Sequence, residues 1–283
     1  MSKGFKTAMI NVFVAAGVFY VAVVVLMYVL QRNIMYHPHV PKPTRAESGV
    51  ADMEEVHFST KDGLELFAWY AASKEAAKPT VVLFHGNAGS LGDRGFKARV
   101  FLDAGFGVML VEYRGYSQNP GAPTEQGLYA DGRAAVAYLK GLGLKGADMV
   151  LYGESLGTGV VSQLAAEAAE AGDAAAAVVL EAPFTSTVDA GATHYPFLPV
   201  RLLMKDRYDS LSRIASIQAP LFIVHGEKDW TVPQHLGRRL FDAAQDPKEA
   251  LWIPKAGHND VFDFGAGPAV LNFLERAVQH RAP

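Results

Sequence analysis

The sequence predicts an α/β fold, a mostly parallel central sheet with helices on both faces, and three observations carry that reading. Short β-branched or apolar runs recur at Thr80–Phe84, Gly107–Glu112, Asp148–Tyr152, Ala177–Leu180, Leu221–Val224 and Ala250–Ile253. Bounded by glycine or proline and apolar throughout, they suit strands buried on both faces of a parallel sheet. Helical patterns alternate with them, at Pro123–Leu139, Leu156–Ala171, Pro233–Ala244 and Pro268–Gln279, and strand alternating with helix implies a sheet covered on both sides. Ahead of these, Glu54–Thr60 and Leu64–Ala71 flank a Lys61-Asp62-Gly63 turn. Asp-Gly between alternating segments signals a hairpin, expected here as the antiparallel edge of the sheet.

The chain has 283 residues, half of them hydrophobic, a formal net charge of −3 and no cysteine. That length supports one substantial core, and that hydrophobicity excludes a disordered chain. The charge lacks the basic footprint of a nucleic-acid partner. Without cysteine there is no disulfide, thiol nucleophile or Cys-based zinc site, although either side of a membrane remains open.

From Ala8 to Leu30 the chain is apolar, with Asn11 as its one strongly polar member. Roughly 20 such residues cross a bilayer core, whereas the apolar stretch of a cleaved signal peptide runs to about 7–15. The continuation Gln31-Arg32-Asn33-Ile34-Met35-Tyr36 is a poor cleavage site. A buried core helix rarely lacks a polar face over this length. Residues 1–34 are therefore expected to be a retained single-pass membrane anchor and 35–283 a catalytic domain. Tyr20, Tyr28 and Tyr36 are expected near the membrane interfaces. Lys3 and Lys6 before the helix nearly balance Arg32, Lys42 and Arg45 after it. The short N-terminal tail then favours tail-inside, with the catalytic domain on the extracytoplasmic side. His37 to Arg45, with Pro38, Pro41 and Pro43, is expected to be an extended linker.

One segment breaks the rhythm: Glu181 to Ala219 contains no strand pattern. It is expected to hold a short lid over about 187–214, with Tyr195-Pro196-Phe197-Leu198-Pro199 apolar and turn-rich. The alanine-rich Ala165–Ala177 is expected to be a solvated helix end.

The chemistry centres on Gly153-Glu154-Ser155-Leu156-Gly157, which follows a strand pattern and opens a helix pattern. That is the context in which G-x-S-x-G has meaning. A nucleophilic serine must project from a sharp, strained turn, and Gly153 and Gly157 supply flanks without bulk. A serine hydroxyl also needs a base within hydrogen-bond reach, and the chain order in this architecture is Ser, acid, His. Asp229 stands in the loop after Leu221–Val224, and His258 in the loop after Ala250–Ile253. Parallel strands end on one edge of the sheet, where ligands bind, so these loops converge on Ser155. Alone, Asp229 reads as a helix-entry cap, His258 as a surface-loop histidine and the serine motif as an ordinary turn; the joint order selects the triad. Glu227 and Asp260 are rival acids, but Asp260 is too near His258 in sequence to orient its ring easily. The oxyanion hole is expected from the backbone N–H of Asn87, with Ala88 as alternative, in His85-Gly86-Asn87-Ala88-Gly89, and from that of Leu156. His85 is expected to be structural. The remaining histidines show no metal-ligand spacing, so neither metal nor cofactor is expected.

With these residues assembled, the chain resembles the single-pass, membrane-anchored branch of the α/β-hydrolase superfamily. The matching text is HGNAG at 85–89, EYRGYSQNPGAPTEQGLYAD at 112–131, YGESLGTGV at 152–160, EAPFTS at 181–186, HGEKDWTVP at 225–233 and AGHND at 256–260. The resemblance spans nearly all of the chain beyond the anchor. It implies the α/β-hydrolase fold and a serine hydrolase similar to lipid hydrolases and depalmitoylating thioesterases. By the same resemblance, Arg114 and Asp131 tie the loop after Tyr113 to the following helix. One departure matters: the depalmitoylating relatives carry an N-terminal cysteine cluster that is absent here, so a shared substrate does not follow.

Three functions fit these residues. An ester or thioester hydrolase acting on acyl chains, lipid or small-molecule, accounts for the apolar lid and the adjacent bilayer. A peptidase uses the same triad but usually adds a larger lid with charged groups for a peptide terminus. A non-catalytic binding module normally loses a triad member, and all three are present. The anchor is expected to take no part in the chemistry.

Overall fold

The computed structural model describes residues 3–38, 40–75 and 77–279. His39, in the predicted linker, and His280 lie outside the described residues. Helix α1 (Lys3–Met35) opens the chain and is followed by the hairpin of β1 (Glu54–Ser59) and β2 (Glu65–Ala71). Then β3 (Thr80–Phe84), α2 (Gly95–Asp103), β4 (Gly107–Val111), α3 (Glu125–Gly141), β5 (Met149–Glu154), α4 (Leu156–Glu170) and β6 (Ala177–Glu181) alternate. Two short helices, α5 (Thr187–His194) and α6 (Val200–Leu203), come next. The chain closes with β7 (Leu221–Gly226), α7 (Gln234–Ala243), β8 (Lys248–Ile253) and α8 (Ala266–Gln279).

The eight strands form one sheet in the order β1-β2-β4-β3-β5-β6-β7-β8. β2 is antiparallel to both β1 and β4, and every pairing from β4 to β8 is parallel. The hairpin thus makes the antiparallel edge, as the Asp-Gly turn predicts. Alternate residues of the central strands face opposite layers. Val82, Phe84, Leu151 and Ile223 pack with Leu128 of α3, Val160 of α4 and Leu240 of α7. Val81, Leu83, Val150 and Val224 pack with Phe101 of α2 and Phe273 of α8. Strands buried on both faces require this double cover, and burying each large apolar side chain contributes roughly 1.5–3 kcal/mol.

The topology positions the site. The chain leaves β3 for β4 on one side and returns to β5 on the other, so a crevice opens between the carboxyl ends of β3 and β5, where ligands bind in open α/β sheets. Asn87 follows β3 and Ser155 follows β5.

Several local expectations are corrected. α2 has no forecast in the sequence, because Gly92, Gly95 and Lys97 obscure its apolar face, yet Ala98, Phe101 and Leu102 are buried. The alanine-rich stretch is a solvated helix end only in part: α4 stops at Glu170, exposed like Ala171, Gly172 turns with φ 70°, and Ala175 and Ala176 are buried ahead of β6. Alanine there lets elements approach closely. Tyr36 is not at a membrane interface but in the core, 2% exposed, its hydroxyl 2.9 Å from that of Tyr208. The segment after it is pinned, since His37 N–H donates to Asn87 O at 3.0 Å. The strandless 181–219 segment contains α5 and α6, the former capped by Ser186 Oγ accepting from Asp189 N–H at 3.0 Å.

Candidate active site

Ser155 sits at the β5–α4 turn with φ 50° and ψ −114°, a strained geometry for a residue with a side chain, costing of order 1–3 kcal/mol. The surroundings enforce it. Ser155 N–H donates to Glu181 O at 2.8 Å, and Thr158 Oγ1 donates to Ser155 O at 2.6 Å. A Cβ at Gly157 would lie 2.1 Å from Phe84 O, and one at Gly153 2.6 Å from Gly157 O. Only glycine fits either flank.

The structure brings the three separated residues together. Ser155 Oγ lies 3.0 Å from His258 Nε2, and His258 Nδ1 lies 2.7 Å from Asp229 Oδ2. With the carboxylate fixing Nδ1–H, Nε2 is left free to accept the serine proton. Asp229 is also the helix-entry cap that it resembles in isolation: Oδ1 accepts from Thr231 N–H at 2.9 Å and Val232 N–H at 2.7 Å. Burial pushes the Asp229 carboxyl up, but hydrogen bonds from His225, His258 and Val232 N–H and the His258 charge outweigh it, holding it down to about 2. The rival acids are engaged elsewhere. Asp260 accepts from Gly257 N–H at 2.6 Å, and Glu227 lies 3.3 Å from exposed Arg238.

Two features of this neighbourhood escape sequence reasoning. His225, fully buried, presents Nε2 to Val232 O at 2.8 Å and to Asp229 Oδ2 at 3.2 Å, so the Asp229 carboxylate faces two imidazoles. Beneath the elbow, Lys97 is buried between Glu154 at 2.5 Å and Glu181 at 2.8 Å, and Arg94 pairs with the other Glu154 oxygen. Burial opposes the charged Glu154, but Lys97 and Arg94 hold its carboxyl well below the usual range. Lys97 stands 57 residues from Glu154, and no local pattern announces such a pair.

Asn87 is fixed from several sides. Its carbonyl accepts from Tyr116 Oη at 2.7 Å, and its Nδ2 donates to Met35 O at 2.7 Å. Leu156, the first residue of α4, has an N–H with no intrahelical acceptor. His85 is buried against Glu112 Oε1 at 2.7 Å, and that carboxylate also accepts from Leu91 N–H and Ser117 Oγ, locking the 85–91 loop. Arg114 Nε donates to Asp131 at 2.7 Å while the guanidinium also grips Asp62. Burial raises the Asp131 carboxyl to about 6 despite that arginine. Among the described residues, no group of three His, Asp or Glu side chains is placed to hold a metal ion.

Ser155, Leu156 and Asn87 border a cavity of about 510 Å³, a size usual for a small-molecule site. The lid contributes Leu198 and Met204, and α1 contributes Met27 and Ile34. Among the described residues, no Asp, Glu, Lys or Arg lines it. α1 is therefore more than a neighbour of the site: its C-terminal third is cavity wall. Arg32 clamps it to the domain, Nε to Asp206 Oδ2 at 2.7 Å. Among the described residues, α1 is the one helix long and apolar enough to cross a membrane.

Comparison with known proteins agrees with this architecture. Residues 79–211 match the family described as the alpha/beta hydrolase fold. An uncharacterized protein of Mycobacterium tuberculosis is 40% identical over 84% of this chain and 84% of its own length. The alpha/beta hydrolase domain-containing protein 17B of Homo sapiens is 31% identical over 78% of this chain and 72% of its own. Protein bem46 of Schizosaccharomyces pombe is 30% identical over 92% of each. Among solved structures, the Pyrococcus furiosus esterase Pf2001 superposes with a TM-score of 0.67 at 20% identity, covering 86% of this chain and 98% of that one. With the strand order, the elbow and relatives at this identity and coverage, the chain belongs to the α/β-hydrolase family.

Proposed function

We propose that the protein is a serine hydrolase that cleaves carboxylic esters or thioesters of acyl chains, using Ser155, His258 and Asp229. The observation that carries this is the unbroken relay from Ser155 Oγ to His258 at 3.0 Å and on to Asp229 at 2.7 Å. His258 Nε2 takes the hydroxyl proton as Ser155 Oγ bonds to the acyl carbonyl carbon, and Asp229 stabilises the imidazolium. The carbonyl oxygen, now negative, is bound by the N–H groups of Asn87 and Leu156. One such donor contributes about 3–4 kcal/mol to the transition state. The bond to the alkoxide or thiolate then breaks, and that group leaves with the proton held by His258. Water, deprotonated by the same imidazole, attacks the acyl-enzyme, and Ser155 regains its proton on release of the acid.

The cavity favours this over peptide cleavage, because among the described residues its lining holds no Asp, Glu, Lys or Arg to receive a peptide terminus. An apolar wall suits an acyl chain. The anchoring role of α1, with the catalytic domain outside the cytoplasm, belongs to the same reading. The cysteine-free chain makes that side testable: a cysteine at exposed Ser212 should react with an impermeant maleimide added to intact cells. Reaction only after lysis would reverse the orientation.

The direct test is hydrolysis of chromogenic acyl esters of increasing length, wild type beside Ser155→Ala. Turnover should be lost by on the order of 10⁴- to 10⁶-fold in the variant. Undiminished turnover would mean another nucleophile.

A further inference from the structure

At 33 residues, α1 is about 50 Å long against a bilayer hydrocarbon core of roughly 30 Å, so one end must stand clear of the apolar layer. Polar contacts mark that end. Gln31 Oε1 accepts from Lys205 N–H at 2.8 Å, Arg32 pairs with Asp206, and the Lys205 ammonium lies 4.2 Å over the Tyr28 ring. Tyrosine and snorkelling cations of this kind sit at headgroup level. Eight residues nearer the N-terminus, about 12 Å along the axis, Tyr20 Oη donates to Phe197 O at 2.9 Å. The lid tip therefore reaches well below the belt formed by Tyr28 and Lys205.

The exposed side chains agree. Outside α1, the three most exposed large apolar residues described are Phe197 at 62%, Leu202 at 83% and Trp230 at 85%. Phe197 and Leu202 lie on the lid, and Trp230 lines the cavity. Apolar groups this exposed, on the lid and at the cavity that it covers, mark a surface that meets another apolar phase. Along one face of α1, Val24, Met27, Gln31 and Ile34 line the same cavity that Ser155 floors, at the spacing of a helical stripe.

The geometry points to lateral entry: the acyl chain of a bilayer-resident ester passes from the hydrocarbon between α1 and the lid to Ser155, with α1 itself as one wall of the substrate site. This inference rests on the hydrolase reading above. It assigns α1 a second role beyond anchoring, and it makes Val24 and Met27 determinants of acyl length. The ester group, held at headgroup level, meets Ser155 without the chain leaving an apolar environment.

The test uses the full chain in phosphatidylcholine vesicles with a water-soluble butyrate ester and a vesicle-borne palmitate ester. Val24→Trp and Met27→Trp, which fill the wall with apolar bulk, should lower the palmitate-to-butyrate ratio of kcat/KM at least tenfold. Val25→Trp, on an exposed face outside the cavity lining, should leave that ratio unchanged. An unchanged ratio in the first two variants would overturn the proposal. A second readout does not depend on turnover. A phospholipid with a diazirine at its acyl terminus, photolysed in vesicles with Ser155→Ala, should label the cavity wall at residues 184–191, and Met27→Trp should remove that label. Absence of label at 184–191 would overturn lateral entry. Failure of both esters with wild type would count against the hydrolase reading, with labelling still deciding the route.

Discussion

Ser155 and Asp229 follow strands buried on both faces and His258 follows the half-buried edge strand β8, whereas Phe197 and Leu202 lie on a lid with little behind it. The floor of the cavity is over-determined: strained backbone, two glycines that admit no Cβ, a four-charge cluster beneath and two imidazoles on one carboxylate. Its roof consists of two short helices and one face of α1, tied together by Tyr20, Gln31 and Arg32, burying few side chains and exposing large apolar groups. On the proposed reading, the difference follows from what each must do. Transition-state stabilisation needs groups fixed before the reaction, since reorganising them would consume the gain. Admitting an acyl chain needs only an apolar lining and elements that bury few side chains, as α5 and α6 do.

Substitutions in the two regions should therefore fail differently. On the floor, Asp229→Asn should lower kcat by about 10⁴-fold by disturbing the His258 tautomer, with Asp260→Asn costing less than tenfold. Steady-state hydrolysis of a soluble ester measures both, and the reverse ranking would reassign the acid. Lys97→Met, which leaves Glu154 and Glu181 facing each other with one buried cation fewer, should destabilise the protein by about 3–5 kcal/mol, read from its unfolding midpoint in detergent. A shift of under 1 kcal/mol would show the cluster to be dispensable.

A pH series sharpens the same contrast. Asp229 is held at about 2 against an ordinary 3.8, so its folded-state pKa is depressed. Such a group contributes ~2 kcal/mol of stability, present above about pH 4 and lost as pH falls toward 2. The stability gap between wild type and Asp229→Asn should narrow by about two-thirds of that amount between pH 6 and pH 2.5. A gap that widens would contradict the sign. On the roof, Leu202→Ser should change stability by no more than about 0.5 kcal/mol, because the side chain is almost fully exposed. It should nevertheless slow hydrolysis of vesicle-borne long-chain esters while sparing soluble short ones, and equal effects on both would place Leu202 outside the membrane surface.

The floor was also the more legible region. Strand periodicity, the Asp-Gly hairpin and the elbow glycines are local patterns, and parallel topology carries Ser155, Asp229 and His258 to one edge without further information. His225 and Lys97 were opaque because their partners are set by tertiary packing: the Glu154–Lys97 pair joins β5 to α2, a helix the sequence does not announce. Tyr36 misled for a related reason. Tyrosine after an apolar helix reads as an interfacial anchor, and only the docking of α1 against Tyr208 and Asn87 turns it inward. The role of α1 as a wall has the same origin, since an apolar stripe facing a cavity and one facing lipid have the same composition.

The most direct measurement is covalent capture of the nucleophile. Wild-type protein in detergent is treated with an alkyl fluorophosphonate and digested, and the adduct is located by peptide mass spectrometry. The account predicts a single adduct on Ser155, formed rapidly in wild type and slowed at least a thousandfold by His258→Ala. An adduct on any other residue, or none on a folded protein, would contradict it.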